Sequence, residues 1–129
     1  MKNKNDGFTL AELLIVVAVI GVLVAISIPI FSQQLHKARV AADWANVRSY
    51  YSQLQYNFLE TRTLNNDYLH EPDGTGLDGL RSFELTGQTV SLKAGSIWVR
   101  PEENGSAGYN ILYECNNWDQ DCELILPQS

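Results

Sequence analysis

A single acidic residue inside a long apolar run is the feature that most constrains this chain. Residues 8–31 read FTLAELLIVVAVIGVLVAISIPIF, 24 residues in which Glu12 is the only charged side chain. As an α-helix this run would rise roughly 36 Å at about 1.5 Å per residue, enough to cross a hydrocarbon core of about 30 Å. The sequence therefore predicts a membrane-spanning helix over residues 8–31.

Glu12 is costly in such a helix. A carboxylate near the middle of a membrane helix costs about 3 kcal/mol on insertion scales, and somewhat less near the helix end. An acid inside a membrane segment is by default a functional candidate with a partner. Cleavage between Gly7 and Phe8 would create an ammonium group four residues from Glu12. That ammonium, from the same chain or a neighbour, would be the natural counter-charge.

The residues before the apolar run form a candidate leader peptide. Residues 1–7 read MKNKNDG, and Lys2 and Lys4 favour a cytoplasmic N-terminus. A secretory signal would place small residues at a cleavage site after its apolar region, and no Ala-x-Ala pattern follows this one. The small residue at a sharp change of polarity is Gly7. We therefore expect a leader of residues 1–7.

These features resemble the N-terminus of the type IV pilins and pseudopilins, the type IV filament superfamily. The resemblance covers roughly residues 1–60. The matching residues are Gly7, Phe8, Thr9, Leu10, Glu12, Leu13, Leu14, Gly21 and Pro29, together with the apolar run. It implies that a prepilin peptidase cuts after Gly7 and that the Phe8 amine is N-methylated. It also implies that Glu12 pairs with the Phe8 amine of a neighbouring subunit during assembly.

Gly21 and Pro29 interrupt the regularity of the apolar helix. Proline lacks a backbone N–H and crowds the carbonyl four residues earlier, so we expect a kink or weak point near Ala25. The resemblance further implies that the stretch between Gly21 and Pro29 can lose helical order when the subunit enters a filament.

Residues 32–63 are predicted to continue the helix as an amphipathic segment. They contain no proline or glycine, and apolar side chains recur at steps of three and four residues. The predicted buried stripe consists of Val40, Trp44, Val47, Tyr51, Leu54 and Phe58. The opposite, solvated face is predicted to carry Gln33, Lys37, Arg39, Asp43, Asn46, Arg48 and Gln53.

The rest of the chain predicts a connecting loop over residues 64–80 and an antiparallel sheet over residues 81–129. Short β-like runs alternate with turns, which is typical of a meander of four or five strands. One face of this sheet would rest on the amphipathic helix, so the expected fold is α+β and pilin-like. Cys115 and Cys122 are expected to form a disulfide that closes a small C-terminal loop.

Composition gives little support for catalysis or nucleic-acid binding. The net charge is −6, and loss of Lys2, Lys4 and Asp6 with the leader would take it to −7. Direct nucleic-acid binding is not expected, because it depends on basic side chains that displace counterions. The acidic stretches at residues 73–78 and 119–123 leave calcium binding open, but they lack the ligands of an EF-hand loop. We expect no catalytic residues, no metal and no cofactor, and hence no enzyme.

Three functions remain open at this stage. The first is a structural subunit of a type IV pilus, which waits in the cytoplasmic membrane and then joins a surface filament for adhesion, motility or DNA uptake. Its implied partners are copies of itself, the prepilin peptidase, and an assembly platform with its ATPase. The second is a pseudopilin of a type II secretion or competence system. The third is a membrane-anchored binding domain that never polymerises, in which Glu12 would have no purpose.

Overall fold

The computed structural model describes residues 7, 9–72, 79–103, 108–116 and 122–128. A single long α-helix, α1 (Leu10–Thr61), is followed by a short 3-10 helix (Asn66–Tyr68). Five strands then complete the described chain: β1 (Ser82–Leu85), β2 (Gln88–Ser91), β3 (Gly95–Pro101), β4 (Tyr109–Cys115) and β5 (Leu124–Leu126). This arrangement confirms the expected α+β fold with a long N-terminal helix.

Helix α1 is continuous over 52 residues, including Gly21 and Pro29. Pro29 has no N–H to donate to the carbonyl of Ala25. On either side of it, the Ser27 hydroxyl donates to the Leu23 carbonyl at 2.7 Å and the Ser32 hydroxyl donates to the Ile28 carbonyl at 3.0 Å. The helix therefore accommodates the proline without interruption, and loss of helical order on assembly stays a prediction.

The chain divides into two compact units, Met1–His36 and Lys37–Ser129, and α1 contributes to both. In the first unit, every described residue before His36 is exposed. The helix is long and apolar enough to cross a membrane, judged by length and composition. A continuous apolar surface of this extent requires a cover, because soluble proteins rarely expose large apolar patches.

The second unit contains the hydrophobic core. Strands β3 and β4 alternate between buried and half-buried residues, so that one face of the sheet packs inward. From the helix, Val47 and Leu54 are completely buried and belong to the same core cluster as the inward residues of β3 and β4. The predicted helical stripe is confirmed at Val40 and Phe58 as well, whereas Trp44 and Tyr51 are only partly buried.

The strands form two sheets rather than one meander, which corrects the expectation from sequence. Strands β1 and β2 pair as a hairpin, and β3, β4 and β5 form a separate antiparallel sheet in that order. The outer edge of β3 bonds instead to the segment that the sequence predicted as a connecting loop. His70 exchanges two backbone hydrogen bonds with Val99, and Leu80 exchanges two with Ile97. Since these bonds occupy the edge of β3, β2 has no place beside it.

Candidate assembly site

Helix α1 begins with a capping box formed by Thr9 and Glu12. The Thr9 hydroxyl accepts from the backbone N–H of Glu12 at 3.2 Å, and the Glu12 carboxylate accepts from the backbone N–H of Thr9 at 3.3 Å. These two bonds satisfy N–H groups that would otherwise lack partners in the first turn. The T-x-x-E spacing that signals this motif is present in the sequence, but the resemblance alone did not draw attention to it.

This capping box changes the interpretation of Glu12. Glu12 is exposed and uses Oε2 to bond Thr9, so it stabilises the start of the helix within a single chain. The expectation that Glu12 would have no purpose outside a filament is therefore wrong. Among the described residues, no partner contacts Oε1 of Glu12, and a carboxylate can accept several hydrogen bonds at once. The carboxylate can thus keep its capping bond and still bind a cation.

The predicted processing site is only partly within the described residues. Gly7 is exposed, whereas Phe8 lies outside the described residues. A Cβ atom placed on Gly7 or on Gly21 would meet nothing within 4 Å. The fold of a single chain therefore does not require glycine at either position.

Asp43 anchors the helix to the strands and was missed by sequence reasoning. The sequence predicts that it lies on the solvated face, but its side chain is 0% exposed. Oδ1 accepts from the Lys93 backbone N–H at 2.8 Å, and Oδ2 accepts from the Ala94 backbone N–H at 2.7 Å. The Tyr113 hydroxyl donates to Oδ2 at 2.8 Å. Three hydrogen bonds thus compensate the carboxylate for its loss of water.

The ring of Tyr113, whose hydroxyl bonds Asp43, lies so close to residue 95 that only glycine fits there. A Cβ on Gly95 would lie 2.6 Å from Cζ of Tyr113, so any other residue would displace the ring. Burial, and secondarily the hydrogen bond and charge of Asp43, raise the pKa of the Tyr113 hydroxyl. Tyr113 therefore stays a neutral donor well into the alkaline range.

The C-terminal cysteines form the expected disulfide. Cys115 and Cys122 are bonded, both are buried, and their Cα atoms lie 6.0 Å apart. The indole N–H of Trp44 donates to the Cys122 carbonyl at 3.1 Å, which ties the disulfide to α1. Residues 117–121, within the loop that the disulfide closes, lie outside the described residues.

The acidic stretches left open for calcium lie largely outside the described residues. Residues 73–78 and most of residues 119–123 fall outside the described ranges. Within the described ranges, no group of three or more His, Cys, Asp or Glu side chains is arranged to hold a metal ion.

Comparison with known proteins supports the interpretation of the N-terminus. The family model described as the prokaryotic N-terminal methylation motif matches residues 2–28. The type IV major pilin protein PilA of Myxococcus xanthus is 35% identical over 97 residues, which cover 75% of this chain and 42% of the relative. The type IV major fimbrial protein FimA of Dichelobacter nodosus is 29% identical over 113 residues, which cover 88% of this chain and 65% of the relative.

A third relative matches over a shorter stretch. The type IV narrow pilus major component PilA5 of Thermus thermophilus is 51% identical over 52 residues, which cover 38% of this chain and 45% of the relative. No solved structure matches the chain significantly. The chain spans less than two thirds of the length of each of these three relatives.

Proposed function

We propose that this chain is a structural subunit of a type IV pilus, a surface filament for adhesion, motility or DNA uptake, because it matches the N-terminal methylation motif and is similar to type IV major pilins. The observation that carries this proposal is the G-F-T-L-x-E-L-L signature at the start of a helix whose apolar residues are exposed throughout the first unit. A membrane and then a bundle of identical helices would cover that surface in turn. The role is structural and not enzymatic.

Processing is the first step of the proposed mechanism. A prepilin peptidase cuts between Gly7 and Phe8, and the new amine of Phe8 is then N-methylated. The exposed Gly7, which the fold of the subunit does not need, supports this cleavage position, because a protease requires an accessible and unhindered backbone. A methylated ammonium keeps its positive charge, so it can still pair with a carboxylate.

Assembly is the second step. The processed subunit is anchored in the cytoplasmic membrane before assembly. An assembly platform with its ATPase then moves the helix from lipid into the growing filament. This transfer exchanges one apolar environment for another, so hydrophobicity alone does not define the position of a subunit along the filament. The ammonium of a neighbouring Phe8 defines it by binding Glu12, because an unpaired charge inside the bundle would be costly. The capping bond to Thr9 keeps the carboxylate in place for that contact.

The extent of the similarity favours a pilus over a pseudopilus. Pilins and pseudopilins share the N-terminal motif, and the motif model covers only residues 2–28. The matches to PilA and FimA extend over 97 and 113 residues, and both relatives are described as major subunits. We therefore place the pilus first and retain the pseudopilin of a secretion or competence system as the alternative.

Glu12→Gln tests the assembly step. The amide oxygen can still accept the Thr9 N–H, so the variant keeps the cap and loses only the charge. We expect it to insert and be cleaved normally but to form less than about a tenth of the wild-type filaments, since a tenfold effect needs only about 1.4 kcal/mol per contact. Glu60→Gln is the matched control, because Glu60 is an exposed acid on the same helix.

The measurement is electron microscopy of sheared cell-surface material, probed with an antibody against residues 81–129. Long labelled filaments from wild-type cells support the pilus. Short structures confined to the cell envelope would support the pseudopilus instead, and membrane-bound monomers alone would overturn both. Normal filaments from Glu12→Gln would refute the pairing role of Glu12 while leaving the pilus assignment intact.

A further inference from the structure

A polar cleft of about 610 Å³ lies in the second unit, at the C-terminal end of α1. Its walls come from the last turns of the helix and from the segment that leads into the 3-10 helix, and Tyr109 of β4 contributes from the sheet. The residues that matter for its chemistry are Asn57, Thr61, Asn65, Asn66, Tyr68 and Tyr109. None of them belongs to the assembly segment or to the Asp43 anchor.

The cleft is held in shape by contacts within its own wall. Tyr109 is only 1% exposed, and its hydroxyl accepts from the Asn65 backbone N–H at 2.8 Å. The Asn65 side chain in turn accepts from the Asp67 backbone N–H at 3.0 Å, which caps the 3-10 helix. Tyr68 packs edge-on against Tyr109, with ring centroids 6.3 Å apart. A ligand would therefore meet a preorganised wall, which lowers the entropy lost on binding.

The lining residues carry no charge, although charged residues make up 19% of the chain. Phosphate and metal ions are usually bound with the help of charged side chains, which this wall lacks, so a neutral ligand fits it better. Asparagine and threonine side chains each carry both a hydrogen-bond donor and an acceptor. Sugar hydroxyl groups also donate and accept, so they can pair with both. Within the described part of the chain, the side-chain amides of Asn57 and Asn66 make no hydrogen bond.

We propose that this cleft binds a short, uncharged oligosaccharide, with the Asn57 and Asn66 amides on its hydroxyls and the Tyr68 ring against its apolar C–H face. The volume falls within the range of about 300–1,000 Å³ that is usual for small-molecule sites. The inference goes beyond the proposed pilus function and does not depend on polymerisation, because the cleft is built from one chain.

NMR titration of the isotopically labelled full-length chain tests this proposal. The protein is kept in micelles of a zwitterionic detergent, because glycoside detergents would compete with the ligand. Maltotriose, cellotriose and chitotriose are the neutral probes, and sialyllactose and inorganic phosphate are the charged comparisons. We expect at least one neutral probe to give saturable shifts at the amides of residues 57–68, with a Kd on the order of 1 mM.

Asn66→Ala is the decisive variant, because Asn66 is exposed and its side chain bonds to no other described residue. Loss of one hydrogen bond to the ligand should weaken binding about fivefold. The controls Gln88→Ala and Tyr56→Ala remove an amide and a tyrosine that are exposed outside the cleft, and they should bind like wild type. Unchanged backbone shifts without ligand verify that each variant is folded.

Three results would overturn the proposal: no saturable shifts with any neutral probe up to about 20 mM, equal binding by Asn66→Ala and wild type, or preferential binding of sialyllactose or phosphate. Because the titration uses single subunits, its failure would leave filament assembly untouched. Conversely, a chain that forms no filaments could still bind the sugar.

Discussion

Replacing Asp43 should destabilise the second unit strongly. Asp43→Ala would leave the Ala94 N–H and the Tyr113 hydroxyl buried without an acceptor. The backbone N–H of Lys93 would lose its acceptor too, but Lys93 is exposed, so this N–H can bond to water instead. Each buried unpaired donor costs about 1–3 kcal/mol. Relief of the buried charge offsets part of this loss. We therefore expect the free energy of unfolding to fall by about 3 kcal/mol, out of the roughly 5–15 kcal/mol of a typical domain.

Urea unfolding of the full-length chain in micelles measures this loss. Tryptophan fluorescence is a suitable probe, because all three tryptophans of the chain, Trp44 among them, lie within the second unit. With a slope of about 1 kcal/mol per M, the midpoint should fall by roughly 3 M. Asp43→Asn keeps one acceptor oxygen and should lose less, about 2 kcal/mol. Glu60→Ala, an exposed acid on the same helix, should stay within about 0.5 kcal/mol of wild type.

A double-mutant cycle with Tyr113→Phe separates the hydrogen bond from general damage to the core. If Tyr113 donates to Asp43 as described, the two substitutions should be coupled by about 0.5–3 kcal/mol. Wild-type stability of Asp43→Ala would refute the anchoring role. Strict additivity in the cycle would refute the specific bond to Tyr113.

Three further predictions concern processing, pH and the disulfide. Gly7→Leu should block cleavage without affecting the fold, because a side chain there meets nothing within 4 Å; a mature-sized band on a gel would contradict this. Burial raises the pKa of Tyr50 to about 12 and also raises that of Tyr113, while an unfolded tyrosine ionises near pH 10. As the pH rises, the tyrosine hydroxyls of the unfolded state therefore lose their protons before those of the folded state. The free energy of unfolding should be unaffected by these groups below pH 10 and fall above it, by up to about 1.4 kcal/mol per pH unit for each tyrosine. Tyr113→Phe should reduce the fall of the free energy of unfolding with pH, measured by urea unfolding between pH 9 and 11. An unchanged dependence on pH would argue against a raised pKa of Tyr113. Replacing both Cys115 and Cys122 by alanine should cost about 2.5 kcal/mol, because the disulfide closes a short loop; a midpoint in urea equal to that of wild type would show that Trp44 and the core hold this segment alone.

The local pattern of the chain was enough to predict its helix, its processing motif and its disulfide. Apolar residues without interruption define the first part of α1, and steps of three and four residues define the second. A disulfide between two cysteines separated by a short loop can be predicted without knowledge of the fold. Even the capping box of Thr9 and Glu12 follows from spacing alone, although it was found only in the structure.

Two features depended on contacts between distant parts of the chain. Asp43 lies three residues after Val40 and four before Val47, so periodicity places it on the buried stripe, but its acidic side chain favours the solvated face. Periodicity does not reveal the partners that allow a carboxylate to be buried there. Its donors come from residues 50 or more positions away, and only the folded chain brings them to one point. The division into two sheets has the same origin, because His70 and Leu80 occupy the edge of β3. Sequence by itself determined the periodic elements, since periodicity is local, whereas tertiary structure decided which buried polar groups found partners.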